Sequence, residues 1–422
     1  MLRSIAPNPW KLLQKIVKAW QNFDWTLLIL IVGLTVFAGV VIQSVQLNQQ
    51  GRTEWLSHFI FTAVGTFLAL IISRWRYELL LQWHWFFFAI ANILLIAVFF
   101  LGVTVNGAQN WLNIAGFTMQ PAELAKLALI ITLAAILHKY PATNLGAVFQ
   151  VLGVTAIPWV LVLLQPDLGT SLAFGAITLG MLYWANANPS WLVIMVSPIV
   201  SVILFTLFFP AWVIWTVFIG IIAWFSLPFR FVTTILIVAS NLIAGELGHL
   251  LWTALQPYQK ARLTLFLDPE KDPLGGGYQL IQSRIALGSG EFWGKGLHHG
   301  TQTQLNFVPE QHTDFIFSAV GEEFGFVGAI LVLLVFWLIC FRLIYIASTA
   351  KENFGSLICV GFLSMVIFQV IINIGMNVGL APITGIPLPW MSYGGSSLLT
   401  NFLAIGIVES IALYRQKNKK NI

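Results

Sequence analysis

The chain is 422 residues long, 58% hydrophobic and only 9% charged. A soluble domain carries about a quarter charged residues, so too few charges are present to cover a globular surface, and an integral membrane protein is implied. The formal net charge of +5 resides in short basic flanks beside apolar segments, which speaks for a membrane partner and against nucleic acid.

Residues 1–24 place Arg3, Lys11, Lys15 and Lys18 beside Trp10 and Trp20. This is a basic, partly amphipathic segment suited to the cytoplasmic membrane surface. The first apolar run begins near Trp25 and reads as a retained anchor, not a cleaved leader. The apolar runs lie at 25–45, 57–73, 82–103, 122–138, 145–163, 169–184, 191–209, 211–227, 232–254, 315–341, 356–380 and 394–413. Stretches of about 20 apolar residues cross a bilayer as helices, and the short alternating segments of a spanning barrel are absent. The expectation is an all-α polytopic membrane protein of about 12 spans. Its organisation is a basic N-terminal segment (1–24), N-terminal helices (25–254), a long extracytoplasmic loop (255–314), C-terminal helices (315–413) and a basic tail (414–422). The runs 191–209 and 211–227 are separated by little more than Pro210, as a hairpin or a re-entrant pair.

With the N-terminus inside, 14 Lys and Arg fall on the cytoplasmic side and 6 outside, with Lys126 in the membrane. That bias places both termini in the cytoplasm. Cys340 and Cys359 lie in apolar runs and read as small core residues.

Ionisable groups at membrane depth are costly and usually face a cavity or a partner. Glu123 and Lys126 share a helix face at i,i+3, with Pro121 suited to the first turn. They are either a structural ion pair or a charged cavity wall for an anionic ligand. Asp167, in QPDLGTS, combines a turn with a helix cap. Glu246 and His249 form a mutually satisfied pair or a proton relay. Glu409 reads as near-interfacial and structural.

The polar stretch from Gln256 to Gly325 carries 5 of the 21 Lys and Arg and 8 of the 16 Asp and Glu, so the chemistry is expected there. Asp268, Glu270 and Asp272 alternate with Pro269 and Pro273, which favours extended or turning chain and lacks a calcium-loop pattern. Glycines from Gly275 to Gly296 offer backbone N–H nests. Arg262, Arg284 and Lys295 are candidates to neutralise a diphosphate. Between the glycines, YQLIQSRIALG reads as an interfacial helix with Leu280, Ile281 and Ile285 toward lipid and Gln282 and Arg284 toward water. In VPEQHTDFIF, a helix opened by Pro309 would put Glu310 and Asp314 on one face at i,i+4. Asp314 would then sit partly desolvated at the membrane edge, with Phe315, Ile316 and Phe317 behind it, as suits a general base. His312 competes for that role, and residue chemistry leaves Asp314, Glu310 and His312 open.

The segments RLTLFLDPEKDPLGGGYQLIQSRIALGSGEFWGKG, FVPEQHTDFIFSAVGEEFGFVG, NIGMNVGLAPITGIPLPWMSYGGSS, NGAQNWLNIAGFTMQPAELAK and QPDLGTS resemble the shape, elongation, division and sporulation (SEDS) glycosyltransferases. The likeness is to the elongation branch more than the division branch. The resemblance implies an inverting polymerase in the bacterial inner membrane that joins lipid-linked disaccharide-pentapeptide (lipid II) into peptidoglycan strands. It works with a class B penicillin-binding protein in an elongation complex that maintains cell shape. It selects Asp314, of the HTDF motif, as the catalytic group. It also implies substrate-binding roles for Glu123, Lys126, Trp111 and Asp167; Arg262, Gln282, Lys295 and His312 are further candidate contacts on residue chemistry alone. No cofactor follows from it; a divalent cation remains a candidate for charge neutralisation. Three departures stand out. Family members commonly have ten spans, which puts an extra pair within 186–231. Asn110 replaces a common arginine, and Glu291 follows Gly290 where a second glycine is common.

Overall fold

The computed structural model describes residues 20, 22–47, 53–105, 108–114, 116–254, 268–273 and 277–415. Its apolar helices are α1 (Trp25–Gln46), α2 (Glu54–Ile72), α3 (Leu79–Leu101), α4 (Pro121–Lys139), α5 (Leu145–Leu164), α6 (Leu168–Trp184), α7 (Pro189–Leu207), α8 (Phe209–Ser226) and α9 (Arg230–Ala254). Two short helices, α10 (Tyr278–Ser289) and α11 (Thr301–Gln304), precede α12 (Ile316–Thr349), α13 (Asn353–Val378) and α14 (Gly395–Leu413). Among the described residues, 11 helices are long and apolar enough to cross a membrane, and the 17-residue α6 is a shorter apolar helix. Each expected run folds as one helix. The protein is an all-α polytopic, multi-pass membrane protein.

The sequence explains the layering. Helix α4 is apolar over most of its surface apart from the Glu123–Lys126 pair and its basic C-terminal end, is rich in alanine, and is buried along most of its length. A helix apolar all round belongs in the interior, and small residues let neighbouring backbones approach closely. Helices α3, α5, α6, α13 and α14 surround it. Helix α14 lies along α2, and α12 packs between α1 and α13. Around this bundle, bulky apolar side chains such as Phe67, Phe100 and Trp337 face outward, as lipid contact requires.

Helices α7, α8 and α9 pack chiefly on one another. They share a small core of Ile194, Ile219 and Ala223. Asn241 on α9 bonds Ser197 and Ser201 on α7. The weak boundary at Pro210 resolves as two separate helices of 19 and 18 residues. Phe208 leaves the helical region there, and Pro210 sits in the first turn of α8, where a missing N–H costs nothing.

One element was not anticipated. Between α3 and α4 lies a small antiparallel sheet of β1 (Val103–Val105), β2 (Ala108–Ile114) and β3 (Phe117–Met119), in the order β1-β2-β3. Gly116, at φ +87°, supplies the left-handed residue between β2 and β3 that glycine adopts freely. Its N–H donates to Asn113 Oδ1 at 3.0 Å.

Candidate active site

Asp314 lies in the turn immediately before α12, half-buried. Phe315, Ile316 and Phe317 behind it are buried, at 1%, 0% and 3% exposure, as their apolar character requires. The expected helix from Pro309 does not form. Residues 309–315 are turn, and Glu310 has φ +51°, a left-handed conformation that helical chain excludes. Glu310 and Asp314 therefore do not share a helix face. Glu310 is exposed and accepts the Thr313 hydroxyl at 3.1 Å.

The turn is held by the end of α13 and the segment between α13 and α14. The carbonyl of Asp314 accepts the side-chain amides of Asn373 and Asn377, both at 3.0 Å. The carbonyl of Thr313 accepts Ser392 Oγ at 2.6 Å, and that of His312 accepts the Tyr393 N–H at 2.9 Å. The His312 and Tyr393 rings meet at a centroid distance of 6.0 Å. Burial pushes the Tyr393 phenol above its ordinary value. Gly385, at φ +71°, faces the carboxylate: a β-carbon there would lie 3.6 Å from Asp314 Oδ2.

The same segment touches the QPDLGT turn. A β-carbon on Gly169 would come within 2.6 Å of the Thr384 carbonyl and 2.9 Å of Ile386, so only glycine permits this approach. Asp167 caps α6 by accepting the Thr170 N–H at 3.0 Å. Its Oδ2 also accepts Thr170 Oγ1 at 2.9 Å, Gln120 Nε2 at 2.9 Å and Asn110 Nδ2 at 3.1 Å. The residue standing where an arginine is common thus ties β2 to the α6 cap. Trp111, beside it, is half-buried on β2 and opposite Val103.

One turn beyond Gln120, Glu123 and Lys126 pair at 2.8 Å, each 2% exposed. Among the described residues Glu123 Oε2 has no hydrogen-bond partner. The pair is enclosed, so in this state it is a membrane-buried ion pair. On α10, Leu280, Ser283 and Ala286 are the buried residues, so Leu280 faces the protein, not lipid as expected. The cause is Ser283, whose hydroxyl meets Ser318 Oγ at 2.5 Å and the Asn377 carbonyl at 2.8 Å. That polar anchor turns its neighbouring face toward α12 and α13. Gln282 is half-buried and Arg284 exposed.

Lys295 lies elsewhere in the network. Its ammonium bonds Thr301 Oγ1 at 2.6 Å and Glu322 Oε1 at 3.2 Å. Glu322 also accepts the N–H groups of Gln302 and Thr303 at the start of α11, at 2.8 and 2.9 Å. Helix α12 is broken at Gly325, with φ +65° and ψ −161°. The freed carbonyls of Glu322 and Glu323 accept the N–H groups of Lys295 and Gly296 at 3.0 and 2.9 Å. Loop and broken helix meet backbone to backbone.

The remaining expectations separate. Arg262 lies outside the described residues. Pro269–Lys271 forms a single 3₁₀ turn with Asp268 paired to Lys271 at 3.3 Å, in keeping with a turning loop. Among the described residues no group of three His, Cys, Asp or Glu is arranged to hold a metal ion. Glu246 is exposed on α9, contrary to a satisfied pair within a helix interface, because Gly245 and Gly248 take the buried face; the His249 side chain lies outside the described residues. Glu409, fully buried, accepts the N–H of Asp24 at 2.9 Å, and Asp24 pairs with Arg342. Sequence reasoning assigned no role to Asn373, Asn377 or Glu322. Two asparagines four apart in an apolar span share a face and were the signal for the first two.

Fold and site define a polytopic membrane protein whose irregular segments converge on one carboxylate at the end of a span. The FtsW/RodA/SpoVE cell cycle protein model matches residues 21–215 and 197–417, and the chain belongs to this family. The peptidoglycan glycosyltransferase MrdB of Escherichia coli K12 is 34% identical over 404 residues, 95% of this chain and 96% of that one. The peptidoglycan glycosyltransferase RodA of Treponema pallidum is 34% identical over 431 residues, 94% and 98% of the two chains. A chain from a solved peptidoglycan synthase complex that coordinates polymerization and crosslinking superposes with TM-score 0.70 at 28% identity, covering 93% and 99%. The rod shape determining protein RodA of Thermus thermophilus shares the fold, with TM-score 0.62 at 23% identity, covering 94% and 99%.

Proposed function

We propose that Asp314 is the general base of this membrane-embedded peptidoglycan glycosyltransferase. The observation that carries the reading is the half-buried carboxylate in a turn whose backbone is held by buried amides. A base held in place ahead of reaction contributes typically about 10²–10⁴-fold. The substrate is lipid II, polymerised into glycan strands for elongation and cell shape. The acceptor sugar hydroxyl loses its proton to Asp314, and its oxygen bonds the donor's anomeric carbon from the face opposite the leaving group. The bond from that carbon to the polyprenyl diphosphate breaks, with inversion, and the diphosphate leaves with the electron pair. Lys126, Arg262 or a divalent ion would neutralise the leaving charge. Use of Lys126 requires the Glu123 pair to open.

The Lys and Arg bias supports both termini in the cytoplasm and Asp314 at the outer face of the bacterial inner membrane. The likeness to a synthase complex that coordinates polymerization and crosslinking supports a class B penicillin-binding protein as partner. The test is purified protein in vesicles given lipid II, as wild type and as Asp314→Asn. Wild-type strand formation with loss in the variant is the expected result. Strands from folded Asp314→Asn would remove the carboxylate from the role, and lipid movement without strands would point to a flippase.

A further inference from the structure

We propose that Asn373 and Asn377 are positioning residues that set the reach of the Asp314 carboxylate. The proposal rests on the reading of Asp314 as the base. Both asparagines are fully buried on α13, where an amide is costly unless every hydrogen-bonding group is used. Their bonds converge on the residues around Asp314. Each donates to the Asp314 carbonyl at 3.0 Å, filling both lone pairs of that oxygen. The second N–H of Asn373 goes to the Ile386 carbonyl at 2.8 Å. That bond ties the Asp314 turn to the residue after Gly385, the one that faces Oδ2.

Asn377 works in the other direction along the chain. Its Oδ1 accepts the Ser318 N–H at 3.1 Å and the Ser318 hydroxyl at 2.6 Å. It therefore spans from residue 314 to the first turn of α12. Its remaining N–H is shared between the backbone carbonyl of Asn373 at 2.8 Å and the Asn373 side-chain oxygen at 3.3 Å, so the two amides are linked. Amides that served only to join helices would have no reason to saturate one loop carbonyl. Here the loop that carries the carboxylate, the helix behind it and the loop in front are pinned through two side chains.

The experiment compares Asn373→Ala, Asn377→Ala and the milder Asn377→Ser in vesicles with lipid II, with thermal unfolding followed in parallel. A misplacement of about 1 Å can cost about 10²-fold, so kcat is expected to fall about 10–100-fold with KM held within about twofold. A purely structural role would lower the unfolding temperature and leave kcat per folded molecule unchanged. Repeating the substitutions on Asp314→Glu, whose carboxylate is already displaced, is expected to give a much smaller further loss. An undiminished loss there would show that the asparagines do not act through Asp314. If the alanine variants do not fold, Asn377→Ser carries the comparison. Folded asparagine variants with wild-type kcat would overturn the proposal while inactive Asp314→Asn left the base reading standing. Active Asp314→Asn would remove both.

Discussion

The ammonium of Lys295 lies 3.2 Å from Oε1 of Glu322, a carboxylate side chain with no solvent exposure. The contact joins the glycine-rich loop to the broken helix α12, and it puts this lysine to work inside the protein. Removing one partner of a buried pair usually costs 3–5 kcal/mol. Because Lys295 is partly exposed and Glu322 keeps two backbone donors, Lys295→Met is expected to cost about 2 kcal/mol. The check is the thermal unfolding midpoint in detergent, with KM for lipid II measured alongside. A raised KM at unchanged stability would place Lys295 on the substrate instead.

The meeting of loop and helix leaves no room for side chains. A β-carbon on Gly290 would stand 1.9 Å from the Gly321 carbonyl, and one on Gly33 would meet nothing within 4 Å among the described residues. Gly290→Ala is expected to destabilise by about 3 kcal/mol through forced backbone movement. Gly33→Ala, in the middle of α1, is expected to be neutral or to gain up to about 1 kcal/mol of helix propensity. Unfolding curves of the two variants give the comparison; equal behaviour would contradict the packing described.

Glu291 adopts φ +49° and is exposed. The left-handed region costs a non-glycine residue about 1–2 kcal/mol, part of which glycine gives back in chain entropy. Glu291→Gly is expected to raise stability by about 0.5–1 kcal/mol. A loss of stability would mean that the Glu291 side chain contributes a contact of its own.

Asp167 receives four hydrogen bonds from three residues, one of them its own helix cap. Hydrogen bonds to a charged group contribute about 1.5–3 kcal/mol each, so Asp167→Ala is expected to cost at least about 3 kcal/mol. Asp167→Asn keeps one oxygen for the cap but turns an amide toward the amides of Asn110 and Gln120. Its expected cost is intermediate, about 1–3 kcal/mol, and chemical unfolding of the three proteins ranks them.

The helices were legible because membrane spans are written in local composition. Twenty apolar residues must satisfy their backbone internally, and the observed ends fall close to the expected ones except at α12, which runs on to Thr349 past the expected 341. The order of motifs and the choice of Asp314 came from resemblance; composition had left three bases open. The turn around Asp314 was not legible. Pro309 is a good helix opener, and a helical reading of VPEQHTDF was reasonable on local grounds. What overrides it is distant in sequence: Asn373, Asn377, Ser392 and Tyr393 take the backbone groups a helix would have used.

The face of α10 follows the same pattern. Leu280 reads as lipid-facing until Ser283 is seen bonded to Ser318 and Asn377. Lys295 reads as a free cation until Glu322 is placed beneath it. By itself, the amino-acid sequence determined a polytopic α-helical membrane protein with its charge concentrated in one stretch, since hydrophobicity and helix length are properties of contiguous residues. Only the tertiary structure decided which polar groups hold the loops and the backbone of the turn that carries Asp314. Those hydrogen bonds join residues 59 and 63 positions apart, and no local rule of composition or periodicity reaches across such a separation.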